Sequence, residues 1–171
     1  MAEQIILVDP LDRPVGSAEK LAAHRRPLLH RAFSIFLYDG SRLLLQQRAA
    51  HKYHSGGMWA NSCCSHPRLG EGLAEAAARR LPEELGVSCP LTEINSFVYY
   101  HQFADDLYEY EFDHIFVGPW HGAVRENPDE VAAAAWVEAD ELAADLLARP
   151  ARYAPWFRTA APFVLAWLAR R

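Results

Sequence analysis

The sequence is short of several things that would place it in well-known classes. It has no apolar run near the roughly 20 residues that a membrane span needs, and its first residues, Met1 to Ile6, lack the basic and apolar stretches of a secretory signal. A cytoplasmic protein is expected. Cysteine is scarce: three in 171 residues, two of them adjacent at Cys63 and Cys64, which is poor geometry for a disulfide framework. Reduced thiols are the better reading. Positive charge is also in deficit, with a formal net charge of -5, so no general affinity for nucleic acid or an anionic membrane is expected. Any site for an anion must be built from selected residues. Repeats, low-complexity tracts and linkers are missing too, which points to one domain over residues 1–171, acting as a monomer or weak dimer.

What is present is a 51% hydrophobic composition, enough for a buried core in a chain of this length. Residues 4–8 read as a short strand, with Asp9-Pro10 and the Arg13 to Gly16 stretch as turn material. Residues 30–38 and 42–48 flank Asp39-Gly40, a strong hairpin signal. From 72 to 85 the apolar positions recur at helical spacing until Gly86, with Pro82 predicting a kink or an irregular final turn. A second hairpin is expected over 91–103 and 107–118, around Ala104 to Asp106, then a strand over 132–137 and helices over 139–148 and 153–169. This is a mixed α/β pattern of the α+β class, without the regular alternation of a doubly wound parallel sheet.

Several side chains carry possible chemistry. On the strand that includes Tyr108 to Phe116, Glu109, Glu111 and Asp113 share one face and Tyr110, Phe112 and His114 the other, because strand side chains alternate. A row of acids is ordinarily a solvated face. His24, His30 and His66 come from three separate segments, and three imidazoles with two carboxylates would suit an octahedral divalent ion, Mg²⁺ or Mn²⁺ in preference to structural Zn²⁺. With eight histidines in the chain, spacing alone does not select this triple, and His51, His54, His101, His114 and His121 read as packing, surface or substrate-side groups. Cys64 is either a small apolar filler or, two residues before His66 and in a loop ahead of a helix, a reactive thiol. Glu71, Glu83 and Glu84 with Arg79 and Arg80 read first as helix surface charges.

Taken together, the stretch from Ser65 to Val87 resembles the Nudix box. Glu71, Arg79, Leu81, Glu83, Glu84, Gly86 and Val87 match it, whereas Ser65 stands in place of its first glycine and Arg80 in place of a metal-binding glutamate. A cation at that position repels metal and attracts phosphate, so the box looks rebuilt to hold a diphosphate without cleaving it. Over nearly its whole length the chain resembles the type I isopentenyl diphosphate isomerase family. The resemblance is carried by Glu19-Lys20 to His24, the segment from His30 to Phe33, Gln47-Arg48 with Lys52, and the segment from Gly57 through Trp59-Ala-Asn-Ser-Cys-Cys-Ser-His-Pro67. It continues in Arg80, Glu83-Glu84, Tyr100, Glu109-Tyr-Glu111 and Ala154-Pro-Trp156.

The resemblance implies a Nudix-like fold and a metal-dependent isomerase of isopentenyl and dimethylallyl diphosphate. It implies that His24, His30, His66, Glu109 and Glu111 bind one ion, Mn²⁺ or Mg²⁺ with Zn²⁺ possible. Cys64 and Glu111 become the proton-transfer pair, with Tyr100 hydrogen-bonded near the acid. Glu84 would hold a Mg²⁺ that enters with the diphosphate, while Lys20, Arg48, Lys52 and Arg80 neutralise phosphate oxygens and Trp156 faces the carbocation. The alternatives are a Nudix-type diphosphate hydrolase, against which Arg80 speaks, and a metal-stabilised domain without turnover.

Overall fold

The computed structural model describes residues 3–103 and 106–171, so most of the turn expected at Ala104 to Asp106 lies outside the described residues. The described strands join in one nine-stranded sheet. β1 (Gln4–Val8) pairs antiparallel with β2 (Pro14–Glu19), which leads straight into the short helix α1 (Lys20–Arg25). Residues 13–16, expected as turn, therefore begin a strand. The turn lies just before them, where the Asp9 carboxylate accepts the Leu11 and Arg13 N–H groups at 2.9 and 3.0 Å. Pro14 is tolerated because it opens a strand at the sheet edge.

β3 (His30–Asp39) and β4 (Arg42–Arg48) form the expected hairpin. Its turn sits one residue later than predicted: Asp39 pairs with Arg42, leaving Gly40 and Ser41 at the tip, with Gly40 at φ 58°. Two short strands follow, β5 (Trp59–Ala60) and β6 (Cys63–Ser65). α2 (Leu73–Leu85) runs unbroken through Pro82, so the predicted kink does not interrupt it, and Gly86 ends it in the left-handed conformation at φ 66°. β7 (Thr92–Gln102) and β8 (Tyr108–Pro119) are antiparallel, β9 (Val131–Glu138) pairs with β4, α3 is Ala139–Ala148 and α4 is Pro155–Leu168.

β3 organises the molecule. One edge runs parallel to β8 from His30↔Glu111 to Tyr38↔Pro119, and the other meets β1, β6 and β4 in turn. Period-two alternation sends Phe33, Ile35 and Leu37 to one face, where they pack with Ala76, Ala77, Leu81 and Leu85 of α2. Phe36, Ile115 and Val117 face the other way, onto Phe157, Ala160, Ala161 and Val164 of α4. Each large side chain buried in these two layers contributes about 1.5–3 kcal/mol relative to exposure. Two layers of helix thus clamp the sheet, and the α4 layer stops short of the strand ends that carry His30 and Glu111.

Candidate active site

Three strands converge where α4 leaves the sheet uncovered. β8 is the first: Glu109, Glu111 and Asp113 share a face with Ile115 and Val117, so the acids continue the α4-facing row and are buried, not solvated. β3 supplies His30 by direct pairing with Glu111. β6 lies on the opposite edge of β3, where Cys64 pairs with Ser34. Strand spacing puts the β6 and β8 backbones roughly 9–10 Å apart across β3. Ala32, Phe33 and Ser34 of β3 line the pocket between them; the Phe33 side chain turns to the α2 face, so the small side chains of Ala32 and Ser34 form the floor of a slot with a thiol on one wall and a carboxylate on the other.

At one end of the slot the rings of His24, His30 and His66 gather with centroids 4.8 to 5.5 Å apart. His24 Nδ1 meets the Lys20 carbonyl at 2.7 Å and His30 Nδ1 meets the Leu28 carbonyl at 2.8 Å. Each carbonyl can only accept, so the proton sits on Nδ1 and the Nε2 lone pair is left bare. Both Nε2 atoms are buried without a hydrogen-bond partner among the described residues, an arrangement that a cation satisfies. Nitrogen atoms of His24, His30 and His66 and an oxygen of Glu111 all lie within 4.8 Å of one another, as do donor atoms of His24, His54 and Glu109. The donor set fits a divalent metal ion.

The electrostatics suit such a centre. Burial, above all, pushes His24 down and His66 to about 3, so both imidazoles are neutral at neutral pH, the form a metal ligand needs. Burial pushes Glu111 up, but the His30 and His66 imidazoles beside it outweigh burial and hold the carboxyl well below its usual range; His66 Nε2 is 3.0 Å from Glu111 Oε1. Asp113 is pushed well up, first by burial and then by the Glu111 charge beside it, with Ser34 Oγ donating to it at 2.8 Å. Burial raises the Cys64 thiol; Arg48 pulls it down and Glu84, Glu111 and Glu109 push it further up. The sulfur therefore holds its proton at neutral pH.

Cations line the site as well: Arg48, Lys20, Lys52 and Arg80 all line the same pocket as Cys64 and Glu111. Trp156, at the start of α4, is fixed by its indole N–H donating to Asn61 Oδ1 at 3.0 Å. Asn61 in turn donates to the Cys63 carbonyl at 2.7 Å, which couples the aromatic wall to the cysteine strand. The Arg48 guanidinium lies 5.0 Å from the Trp156 ring centroid, and its Nη1 is 3.9 Å from Cys64 Sγ.

This geometry brings together most of the residues expected from the sequence and corrects one of them. Tyr100 is not near the acids: it pairs with Tyr110 on the far face and is 53% exposed. Its neighbour Tyr99 pairs with Glu111, is buried, and its hydroxyl donates to Glu109. Directly opposed residues of an antiparallel pair share a face, so the residue opposite Glu111 must be the one that points inward. Glu84 stands apart from the histidine cluster; on α2 it is buried between Arg80 Nη2 at 2.6 Å and Gln46 Nε2 at 3.2 Å, and burial raises its carboxyl. Residues not foreseen are His54, whose Nε2 is 2.9 Å from Glu109 Oε1, and Glu130, which binds Lys52.

The NUDIX domain family matches residues 28–157. An isopentenyl-diphosphate Delta-isomerase 2 of Aromatoleum aromaticum is 54% identical over 91% of this chain and 83% of its own length, and the isopentenyl-diphosphate Delta-isomerase of Burkholderia multivorans is 47% identical over 99% of this chain and 100% of its own. The chain belongs to the isopentenyl-diphosphate Delta-isomerase family of NUDIX proteins. Among solved structures, Deinococcus radiodurans DR0079 superposes with a TM-score of 0.72 at 23% identity, covering 86% of this chain and 90% of that one, which supports the NUDIX fold. For a member of the isomerase family, the departure at Arg80 has a structural meaning: its guanidinium takes up Glu83 and Glu84, the paired carboxylates of the box, each at 2.6 Å.

Proposed function

We propose that this chain, as one domain, interconverts isopentenyl diphosphate and dimethylallyl diphosphate by adding a proton at the terminal methylene carbon and removing one from the carbon across the tertiary centre. The observation that carries the reading is the slot itself, with Cys64 and Glu111 rising from opposite edges of β3 over a floor of Ala32 and Ser34. A short branched chain laid along that floor has one proton-transfer group on each side, the arrangement the reaction needs.

In the direction from isopentenyl diphosphate, Glu111 gives its proton to the methylene carbon, the alkene π electrons form the new C–H bond, and a tertiary cation results. Cys64, as thiolate, then takes the proton from the adjacent methylene, whose C–H electrons become the new double bond. One forward pass leaves a thiol and a carboxylate, the pair from which the reverse direction starts, and return of the proton from Cys64 to Glu111 resets the site for another forward pass. Trp156, 3% exposed, offers its ring to the cation, a contact worth about 2 kcal/mol when desolvated, and the aromatic start of α4 keeps out the water that would trap it.

A divalent ion held by His24, His30, His66, Glu109 and Glu111 would set the charge and position of Glu111. The mixed nitrogen and carboxylate donors favour Mn²⁺ or Mg²⁺, with Zn²⁺ the competitor. Arg48, Lys20, Lys52 and Arg80 are assigned to the diphosphate, which would enter with Mg²⁺, and Glu84, bound to Arg80, is assigned to help hold that ion. Tyr99 takes the role first given to Tyr100, holding Glu109 through its hydroxyl.

The described helices are too short or too polar to cross a membrane, and the three cysteines are unbridged; both agree with action in the reducing cytoplasm. Activity as a monomer or weak dimer is part of the same reading. Incubation with isopentenyl diphosphate and Mg²⁺ in D₂O tests the reading through product formation and deuterium uptake. A hydrolase would instead release phosphate from a panel of diphosphates, and the engagement of Glu83 and Glu84 by Arg80 weighs against that outcome.

A further inference from the structure

The cations at the mouth of the pocket are mostly already paired. Lys52 is bound by the Glu130 carboxylate, and the other oxygen of the same group lies 3.4 Å from Arg80 Nη2. Arg80 also holds Glu83 and Glu84, and Lys20 meets Glu3 at 3.2 Å. Of the four, only Arg48 has no carboxylate partner among the described residues; it contacts Cys64 Sγ, the His54 carbonyl and the Trp156 ring. The mouth therefore sets four carboxylates, Glu3, Glu83, Glu84 and Glu130, against four cations.

Glu130 is the member of this group that faces the slot. It lines the pocket together with Cys64 and Glu111, and its backbone is tied down: its N–H donates to the Asn127 carbonyl at 2.9 Å, and its own carbonyl accepts the Ala49 N–H at 3.0 Å. Ala49 also accepts the Lys52 N–H at 3.2 Å, so one short segment fixes both partners of the ion pair. Burial works to raise the Glu130 carboxyl, but Lys52 and then Arg80 outweigh it and keep the group ionised.

We propose that Glu130 is a specificity residue of the phosphate subsite: it balances Lys52 and Arg80 while the site is empty, and it makes the site take a diphosphate as its divalent-cation complex in preference to the bare anion. This rests on the isomerase reading of the pocket. A bare diphosphate brings several negative charges to a mouth that is already neutral, and it must compete with Glu130 for Lys52 and Arg80. A divalent cation carried on the phosphate oxygens reverses the sign of that encounter, because it can stand between phosphate and carboxylate. Nothing in the NUDIX box predicts this residue, which lies outside the box and reaches the site only through the fold.

Calorimetric titration with inorganic pyrophosphate, in millimolar Mg²⁺ and with no divalent ion added, tests the proposal on the parent protein, Glu130→Gln and Glu130→Ala. Thermal melts establish that the variants are folded. The parent should bind the magnesium complex about tenfold or more tightly than the bare anion, and both variants should bind the bare anion about tenfold more tightly than the parent does, as expected for removal of one nearby like charge. Variants that keep the parent's preference for the magnesium complex, or that bind bare pyrophosphate no better than the parent, overturn the role of Glu130 alone. A parent that binds pyrophosphate under neither condition overturns that role together with the diphosphate reading of the pocket.

Discussion

Replacing Tyr99 by Phe should weaken the site from behind, and replacing Tyr100 should not. The Tyr99 hydroxyl is buried and donates to the carboxylate of Glu109, itself only 4% exposed. A hydrogen bond to a buried charge contributes about 1.5–3 kcal/mol. His54 Nε2 remains 2.9 Å from the other Glu109 oxygen, which keeps the loss toward the lower half of that range. For a chain of this size, about 1.5–2 kcal/mol lowers the melting temperature of metal-free protein by roughly 3–8 °C. Because a group that orients a metal ligand is worth about 10–100-fold in metal affinity, chelator competition should show a loss of that order. Tyr100 packs against Tyr108 and Tyr110 on the opposite face, and Tyr100→Phe should stay within about 0.5 kcal/mol of the parent. If Tyr100→Phe matched or exceeded Tyr99→Phe in either assay, the strand register and the assignment of Glu109 would both be wrong.

Other substitutions separate binding from chemistry. Cys64→Ala and Glu111→Gln should each nearly abolish isomerisation, measured by product formation, while pyrophosphate affinity stays largely intact. Arg80→Glu should do more than harm substrate binding: it leaves Glu84 buried without its partner, so urea unfolding should show a loss of about 3–5 kcal/mol. The metal-free protein should also lose stability on acidification. His66, neutral in the fold with its value lowered to about 3, takes up its proton first in the unfolded chain near 6.5, so the stability it contributes at neutral pH is lost as pH falls from about 6.5 toward 3. By pH 5 that amounts to about 2 kcal/mol. Asp113, raised by burial, works in the opposite sense and His24, lowered by burial, in the same sense, so the comparison is between the parent and His66→Leu: urea midpoints at pH 7 and pH 5 should lie further apart for the parent than for the variant.

Legibility in the sequence followed the physics of each element. β3, β4, β7, β8 and β9 and the helices α2, α3 and α4 were readable within a residue or two, because half-buried elements write their burial as periodicity. β2 was not, since most of its residues are exposed and carry no alternation. β5 and β6, at two and three residues, are defined by their pairing with β4 and β3 and by nothing local. α1 was legible only as the segment that carries Lys20 and His24.

The same division runs through the site. Its histidines, acids and cysteine could be named from motifs, but three features depend on how distant segments meet. Choosing Tyr99 over Tyr100 required the register of β7 on β8, which the acids on β8 would have supplied had the pairing been worked out from the hairpin. His54 and Glu130 come from loops, where no period marks the inward side. Glu84 shows the converse: the box motif assigned it to a metal, and the fold places Arg80 and Gln46 on it first.

The central claim is that Cys64 and Glu111 pass protons to and from a five-carbon diphosphate held between them. Nuclear magnetic resonance of the reaction with isopentenyl diphosphate and Mg²⁺ in D₂O measures it directly. The account predicts dimethylallyl diphosphate carrying deuterium in a methyl group, deuterium exchange into recovered isopentenyl diphosphate, and loss of both signals in Cys64→Ala and Glu111→Gln. Unlabelled, unchanged substrate from the folded, metal-loaded parent protein would contradict it.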